Sequence, residues 1–126
     1  MSIERLLILV SFFLGASLLV SCGGVNCSFS SLSVSPPSAA TSVGSSQQFT
    51  AFGGGLSNGC AATASNLTNV SWTVSDTTNV SVTNTNGIAT MKCLGATQGS
   101  VTVTATLPAS ANKGHSLNAT GSLTCN

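Results

Sequence analysis

The chain has 126 residues and carries only three basic and two acidic side chains, while 42% of its residues are hydrophobic. So few charges exclude a basic surface for nucleic acid and an acidic calcium site, and the regularly spaced apolar residues argue against disorder. The length fits one domain plus a targeting segment.

The N-terminal segment has the organisation of an export signal. In residues 1–5 the α-amino group and Arg5 outweigh Glu4, and residues 6–19 form a continuous apolar run. A run of this length suits the apolar region of a secretory signal. It falls short of the roughly 20 residues that a membrane-spanning helix needs. We therefore predict a signal peptide over residues 1–21, with a retained helical anchor as the weaker alternative.

The end of this segment, Leu19-Val20-Ser21-Cys22, resembles the bacterial lipobox. The resemblance implies that Cys22 receives a diacylglyceryl group and palmitate and becomes the first residue after cleavage. The alternative is a free cysteine after an ordinary cleavage site. Several acyl chains anchor a protein stably, because each buried CH₂ contributes about 0.8 kcal/mol. Residues 22–26 are then a short lipidated tether before a domain at 27–126, and Gly23 in place of Asp implies the outer membrane of a two-membrane cell.

Lipidation of Cys22 leaves four of the five cysteines, at positions 27, 60, 93 and 125. An even number in an oxidising compartment indicates two disulfides. The alternative is a zinc site with His115 as an extra ligand. The gaps between these cysteines are 33, 33 and 32 residues, whereas structural zinc sites use closely spaced cysteine pairs, so we predict no metal site.

After Cys27 the sequence alternates between apolar and polar residues and has no helical period. Breaks rich in Gly, Pro and Asn separate the predicted strands, which are 29–35, 46–52, 70–74, 80–82, 88–93, 101–105 and 117–125. Seven short strands at this spacing predict an all-β antiparallel sandwich. The alternation places a set of core residues on the buried faces: Val70, Trp72, Val74, Val101 and Val103.

An ordered set of motifs across about 75 residues resembles the bacterial immunoglobulin-like domains of group 2, found in invasin- and intimin-type adhesins. The matching motifs are Leu32-x-Val34-x-Pro36, Val43-Gly44-x-x-x-Gln48-Phe49-x-Ala51, Val70-x-Trp72-x-Val74-x-Asp76, Val80-x-Val82, Asn86-Gly87-Ile88-Ala89-Thr90 and Gly99-x-Val101-x-Val103-x-Ala105. The resemblance implies a seven-stranded immunoglobulin-like sandwich without catalytic residues. Four cysteines and a single domain copy depart from the family pattern.

The strand directions of that fold place Cys27 and Cys60 at one end and Cys93 and Cys125 at the other. Ends about 20 Å apart cannot be bridged, since a disulfide needs Cα atoms within about 7 Å. The predicted pairs are therefore Cys27–Cys60 and Cys93–Cys125.

The residues after the signal include one His, one Asp and no Glu. A pair of catalytic carboxylates is thus impossible, and the implied topology puts His115 and Asp76 at opposite ends, where no triad can form. We interpret Asp76 as a turn cap and His115 as a solvated loop residue, and expect no enzyme activity and no cofactor.

The sequence therefore predicts a membrane-anchored, non-enzymatic immunoglobulin-like lipoprotein that is a binding or structural module of the cell envelope. Its expected partners are the membrane, through Cys22, and an envelope protein or polysaccharide. The alternative is a surface adhesin that contacts other cells or matrix. Only residues 23–26 separate Cys22 from Cys27, so we expect the Cys27 end, with the loop at 53–69, to face the membrane.

Overall fold

The computed structural model describes residues 28–55 and 67–126, so the predictions for residues 1–27 and for the loop around Cys60 lie outside it. Eight strands and one 3-10 turn make up the described part. They are β1 Ser31–Ser35, β2 Ser38–Thr41, β3 Ser46–Gly54, β4 Ser71–Val74, β5 Val80–Thr85, β6 Ile88–Cys93, β7 Val101–Leu107, the turn Ala109–Ala111, and β8 Leu117–Cys125.

The strands form two four-stranded sheets, which confirms an all-β architecture. The first sheet has the order β1-β3-β6-β5 and the second has the order β2-β8-β7-β4. Every pairing in the first sheet is antiparallel, as are β4 with β7 and β7 with β8.

The core lies between the two sheets and follows the predicted alternation. In β7, Val101, Val103 and Ala105 are buried, while the intervening Thr102 is exposed. The five residues predicted for the core, Val70, Trp72, Val74, Val101 and Val103, are all buried. The largest completely enclosed apolar side chains are Phe49, Met91 and Leu123. Side chains from both sheets thus fill one shared interior, as in other sandwiches.

The structure corrects the prediction of seven wholly antiparallel strands. The first strand ends at Ser35, as Pro36-Pro37 predicts, but the chain resumes as β2 in the opposite sheet. There Ser38–Thr41 pairs in parallel with Ser122–Cys125 of β8. The sequence does not reveal β2 because its four residues are small and none is fully buried. Its hydrogen bonds come from a strand more than 80 positions away.

β3 continues through two glycines beyond its predicted end. β3 runs to Gly54, although the run Gly53-Gly54-Gly55 predicts that it stops earlier. The Phe29 ring occupies the space where a side chain on Gly53 would lie. A glycine inside a strand is expected where another group approaches the backbone closely.

The sandwich has two distinct ends. The register of β7 with β8 runs from Val101 opposite Leu123 to Leu107 opposite Leu117. Because each strand residue rises about 3.3 Å, these two positions are separated by roughly 20 Å. We call the end with Phe29, Leu107 and Leu117 the entry end, and the opposite end the disulfide end.

Candidate functional site: the two ends of the sandwich

The entry end is held together by one buried amide, the side chain of Asn112. This residue is 0% exposed and follows the turn Ala109–Ala111 between β7 and β8. Its Oδ1 accepts a hydrogen bond from the Phe29 N–H at 2.7 Å, and its Nδ2 donates to the Phe29 carbonyl at 3.0 Å. The same Nδ2 donates to the His115 carbonyl at 2.9 Å. The beginning of the described domain is thereby fixed to the β7–β8 connection.

A groove at the entry end separates Ser28–Ser30 from Gly114–Leu117 and has a volume of about 540 Å³. His115 and Ser116 line it and are exposed. Lys113 is also exposed and immediately precedes Gly114. The chemistry available here is hydroxyl groups, one imidazole and one ammonium group, which suits hydrogen bonding and the attraction of anions.

The disulfide end is named for the bond between Cys93 and Cys125, whose Cα atoms are 5.7 Å apart. Cys93 ends β6 in one sheet and Cys125 ends β8 in the other, so the bond joins the two layers. Both residues are buried. The Cys125 N–H donates to Thr97 Oγ1 at 3.0 Å, and the Thr97 N–H donates to the Cys125 carbonyl at 3.0 Å.

Two large apolar side chains are exposed beside this disulfide, Val43 at 45% and Leu94 at 53%. The two residues are neighbours, because the Gly44 N–H donates to the Cys93 carbonyl at 2.7 Å. On either side, the Val43 N–H donates to the Asn126 carbonyl and the Leu94 N–H donates to the Asn79 carbonyl. The pair is therefore a small apolar surface on well-anchored backbone.

Asp76 also lies at the disulfide end and caps the turn between β4 and β5. Its Oδ1 accepts hydrogen bonds from the Thr78 and Asn79 N–H groups, both at 3.0 Å, and its Oδ2 accepts one from Asn79 Nδ2 at 2.8 Å. These hydrogen bonds hold the pKa of Asp76 below its usual value, and the bond from the Asn79 side chain has the largest effect. The predicted capping role is confirmed.

His115 and Asp76 lie at opposite ends of the sandwich, as the implied topology predicts. His115 belongs to the entry end through Asn112, and Asp76 belongs to the disulfide end through Asn79, whose carbonyl accepts from Leu94. The structure does not bring the two residues together in a catalytic arrangement.

A second groove of about 460 Å³ runs along the seam between the edge strands β4 and β5. Trp72, Val74, Val80 and Val82 form its apolar part, and hydroxyl groups form its polar part. The Trp72 Nε1–H donates to the Gly87 carbonyl at 2.9 Å, so the indole is hydrogen-bonded within the fold. None of the described residues that line the groove has a titratable side chain.

The cysteine predictions divide into a pair that the structure shows and positions that it does not describe. The Cys93–Cys125 disulfide is present as predicted, and these two sulfur atoms are therefore not free thiolate ligands for the alternative zinc site. Cys22, Cys27 and Cys60 lie outside the described residues. Within 28–55 and 67–126 no group of three or more His, Cys, Asp or Glu side chains is placed to hold a metal ion.

Sequence reasoning missed two features that define the ends. Asn112 stands in the run Asn112-Lys113-Gly114, which signals a turn but not a buried amide. Val43 and Leu94 stand in separate loops, and nothing in the sequence indicates that they are neighbours.

No helix in the described ranges is long and apolar enough to cross a membrane. No protein-family model matches the chain, and the comparison with curated proteins gives no match either.

Proposed function

We propose that this protein is a lipid-anchored, non-enzymatic immunoglobulin-like module of the bacterial cell envelope. It is tethered to a membrane through Cys22 and acts by contact with an envelope protein or polysaccharide. One observation carries the proposal, the short spacing between Cys22 and the folded domain. Cys22 ends the lipobox after the apolar run, and it lies only seven residues before Phe29, whose N–H donates to Asn112. Seven residues span at most about 25 Å, so the lipid and the entry end are close.

The strand order supports the immunoglobulin-like part of the proposal. In constant-type immunoglobulin domains one sheet has the order A-B-E-D and the other contains C, F and G. If the strands other than β2 are lettered A to G in chain order, the first sheet, β1-β3-β6-β5, has the order A-B-E-D. The second sheet then contains C, F and G as β4, β7 and β8. Trp72 lies on β4, the counterpart of strand C, where that fold places a buried tryptophan.

The departures from that fold are β2, which adds a strand beside β8, and the position of the disulfide. In antibody domains the conserved bond joins strands B and F, whereas here it joins β6 and β8. The proposed relationship to the bacterial group 2 domains rests on the ordered motifs from Leu32 to Ala105.

A short tether favours a partner within the envelope over a distant cell. β8 has nine residues, and at about 3.3 Å each the domain extends only about 30 Å from the entry end. Val43 and Leu94 then lie on the side away from the membrane, where exposed apolar side chains are available to a partner. Adhesion to other cells is the second candidate, and the same exposed pair is what supports it.

The anchoring is tested with Cys22→Ser in the full-length protein expressed in a bacterium. We expect loss of the acyl mass, because serine has no thiol to receive the diacylglyceryl group. Gly24→Ser, which leaves the lipobox unchanged, should remain acylated and membrane-bound. A wild-type protein that lacks the acyl mass on Cys22 contradicts the proposal.

The contact function is tested by placing a photo-crosslinking amino acid at Leu94 in the membrane-bound protein. We expect a defined crosslinked product with another envelope component. The same probe at Thr120, which is exposed on the outer face of β8, is the control. Crosslinks at Thr120 but none at Leu94 contradict a contact through the disulfide end, and binding of the purified protein to whole cells would favour adhesion.

A further inference from the structure

We infer that the entry end is a contact surface for anionic phospholipid headgroups, with Lys113 as its cation and the groove beside His115 as the headgroup-binding site. The inference rests on the proposed lipidation of Cys22. It goes beyond anchoring, because it states which face of the domain touches the membrane and which lipids that face prefers.

The length of the tether is the first reason. Ser28 is six residues after Cys22, and six residues span at most about 22 Å. Ser28 and Phe29 border the groove themselves, and Asn112 ties Phe29 to the segment that carries Lys113 and His115. An acylated Cys22 therefore keeps these two side chains near the headgroups.

The distribution of charge is the second reason. Among the described residues the charged side chains are Asp76, Lys92 and Lys113. Asp76 and Lys92 both lie at the disulfide end, since Lys92 immediately precedes Cys93, and their charges cancel there. Lys113 lies at the entry end without an acidic side chain among the described residues of that end. Among the described residues, the charged side chains therefore sum to a positive charge at the entry end and to zero at the disulfide end.

The groove supplies the polar contacts that a headgroup needs. It lies between Ser28–Ser30 and Gly114–Leu117, with Ser116 and His115 exposed on one wall. The Lys113 backbone has φ 51° and Gly114 has φ 87°, so the chain turns sharply at the groove. Hydroxyl and imidazole groups can hydrogen-bond to phosphate and glycerol oxygens, and one Lys near an anionic surface favours binding about fivefold.

The two lysines at opposite ends provide an internal control for the test. The acylated mature protein is reconstituted in vesicles of phosphatidylglycerol or of phosphatidylcholine, and Lys92 and Lys113 are labelled with a water-soluble amine-reactive reagent. The extent of labelling at each lysine is read by mass spectrometry. In phosphatidylglycerol vesicles we expect labelling of Lys113 to fall at least threefold relative to Lys92. We expect 1 M salt to abolish most of that difference, because the Debye length is then about 3 Å.

Several results would overturn the inference. Equal labelling of both lysines in phosphatidylglycerol vesicles excludes the contact, and equal protection of Lys113 in phosphatidylcholine excludes a preference for anionic lipids. Protection of Lys113 in detergent by a copurifying protein assigns the surface to that protein instead. Failure of the proposed function looks different, since a protein without acyl chains would not float with the vesicles at all.

Discussion

Asn112 shows what a buried polar side chain contributes to this domain. Its amide satisfies two backbone groups of Phe29 and one of His115 while being fully enclosed. Because a buried group left without its partner costs about 1–3 kcal/mol, this residue is worth more to the fold than its position in a loop suggests.

Replacement of Asn112 by Ala should lower the free energy of unfolding by about 1–3 kcal/mol, since three part-buried backbone groups lose their hydrogen-bond partner. Urea denaturation followed by tryptophan fluorescence measures the change. Asn118→Ala is the matched control, because Asn118 is exposed and its replacement should cost less than about 0.5 kcal/mol. Equal losses in the two variants would show that the Asn112 amide is not a structural support.

Asp76 makes the free energy of unfolding depend on pH, with lower stability in acid. Its pKa is lowered in the folded state, with the Asn79 side-chain hydrogen bond as the largest cause. The folded state therefore favours the charged carboxylate. The stability from these bonds is present above the ordinary value of 3.8 and is lost as the pH falls through the lowered pKa.

We expect the urea midpoint of the protein to be steady from about pH 7 to 5 and to fall below about pH 4. Asp76→Asn should remove most of this fall, and the difference between the two proteins should shrink at the lowest pH. An acid profile that Asp76→Asn leaves unchanged would assign the sensitivity to another group.

At the scale of elements, the turn of the hairpin between β5 and β6 is hydrogen-bonded to the buried Trp72. Asn86 and Gly87 both have positive φ, 51° and 79°, as a two-residue turn of this type requires. Asn84 Oδ1 accepts from the Gly87 N–H, and Asn84 Nδ2 donates to the Val70 carbonyl. The turn also supplies the Gly87 carbonyl that accepts from Trp72.

Gly87→Ala should destabilise the protein by more than about 2 kcal/mol, because the new Cβ would overlap the Leu67 carbonyl in addition to the cost of a positive φ. Gly99→Ala is a matched control. Gly99 has φ 81° but nothing lies within 4 Å of an added Cβ, so only the conformational cost of about 1–2 kcal/mol applies. Thermal unfolding of both variants measures the difference, and similar melting temperatures would mean that the Leu67 carbonyl moves aside easily.

At the scale of the whole molecule, the Cys93–Cys125 bond joins the two sheets at the disulfide end. The sequence separation of the two cysteines is 32 residues. Closing a loop of that length in the unfolded chain corresponds to about 3–4 kcal/mol in the chain-entropy treatment.

The double variant Cys93→Ala, Cys125→Ala should therefore lose about 3–4 kcal/mol of unfolding free energy, with a further loss from the atoms removed from the core. Urea denaturation measures it. Peptide mapping under non-reducing conditions tests the connectivity directly, and a peptide that joins Cys93 to any residue other than Cys125 would contradict the structure.

The sequence by itself determined the features that depend on local chemistry. The alternation in β4 and β7 predicted the buried faces, and breaks rich in Gly, Pro and Asn, among them Asn86-Gly87 and Pro36-Pro37, predicted where strands end. Each of these needs only the preferences of a residue and its neighbours, because strand side chains alternate and proline lacks an N–H group. The Cys93–Cys125 pair followed as well, once the order of the strands in the resembled fold was assumed.

The tertiary structure alone decided the features that depend on distant segments. β2 forms because it pairs with the edge of β8. Asn112 is buried because Phe29 lies against it. Val43 and Leu94 are neighbours because the Gly44 N–H donates to the Cys93 carbonyl. Such pairings join residues from about 50 to 84 positions apart. No local pattern encodes them, since a strand edge or a buried amide finds its partner only when the two sheets have packed.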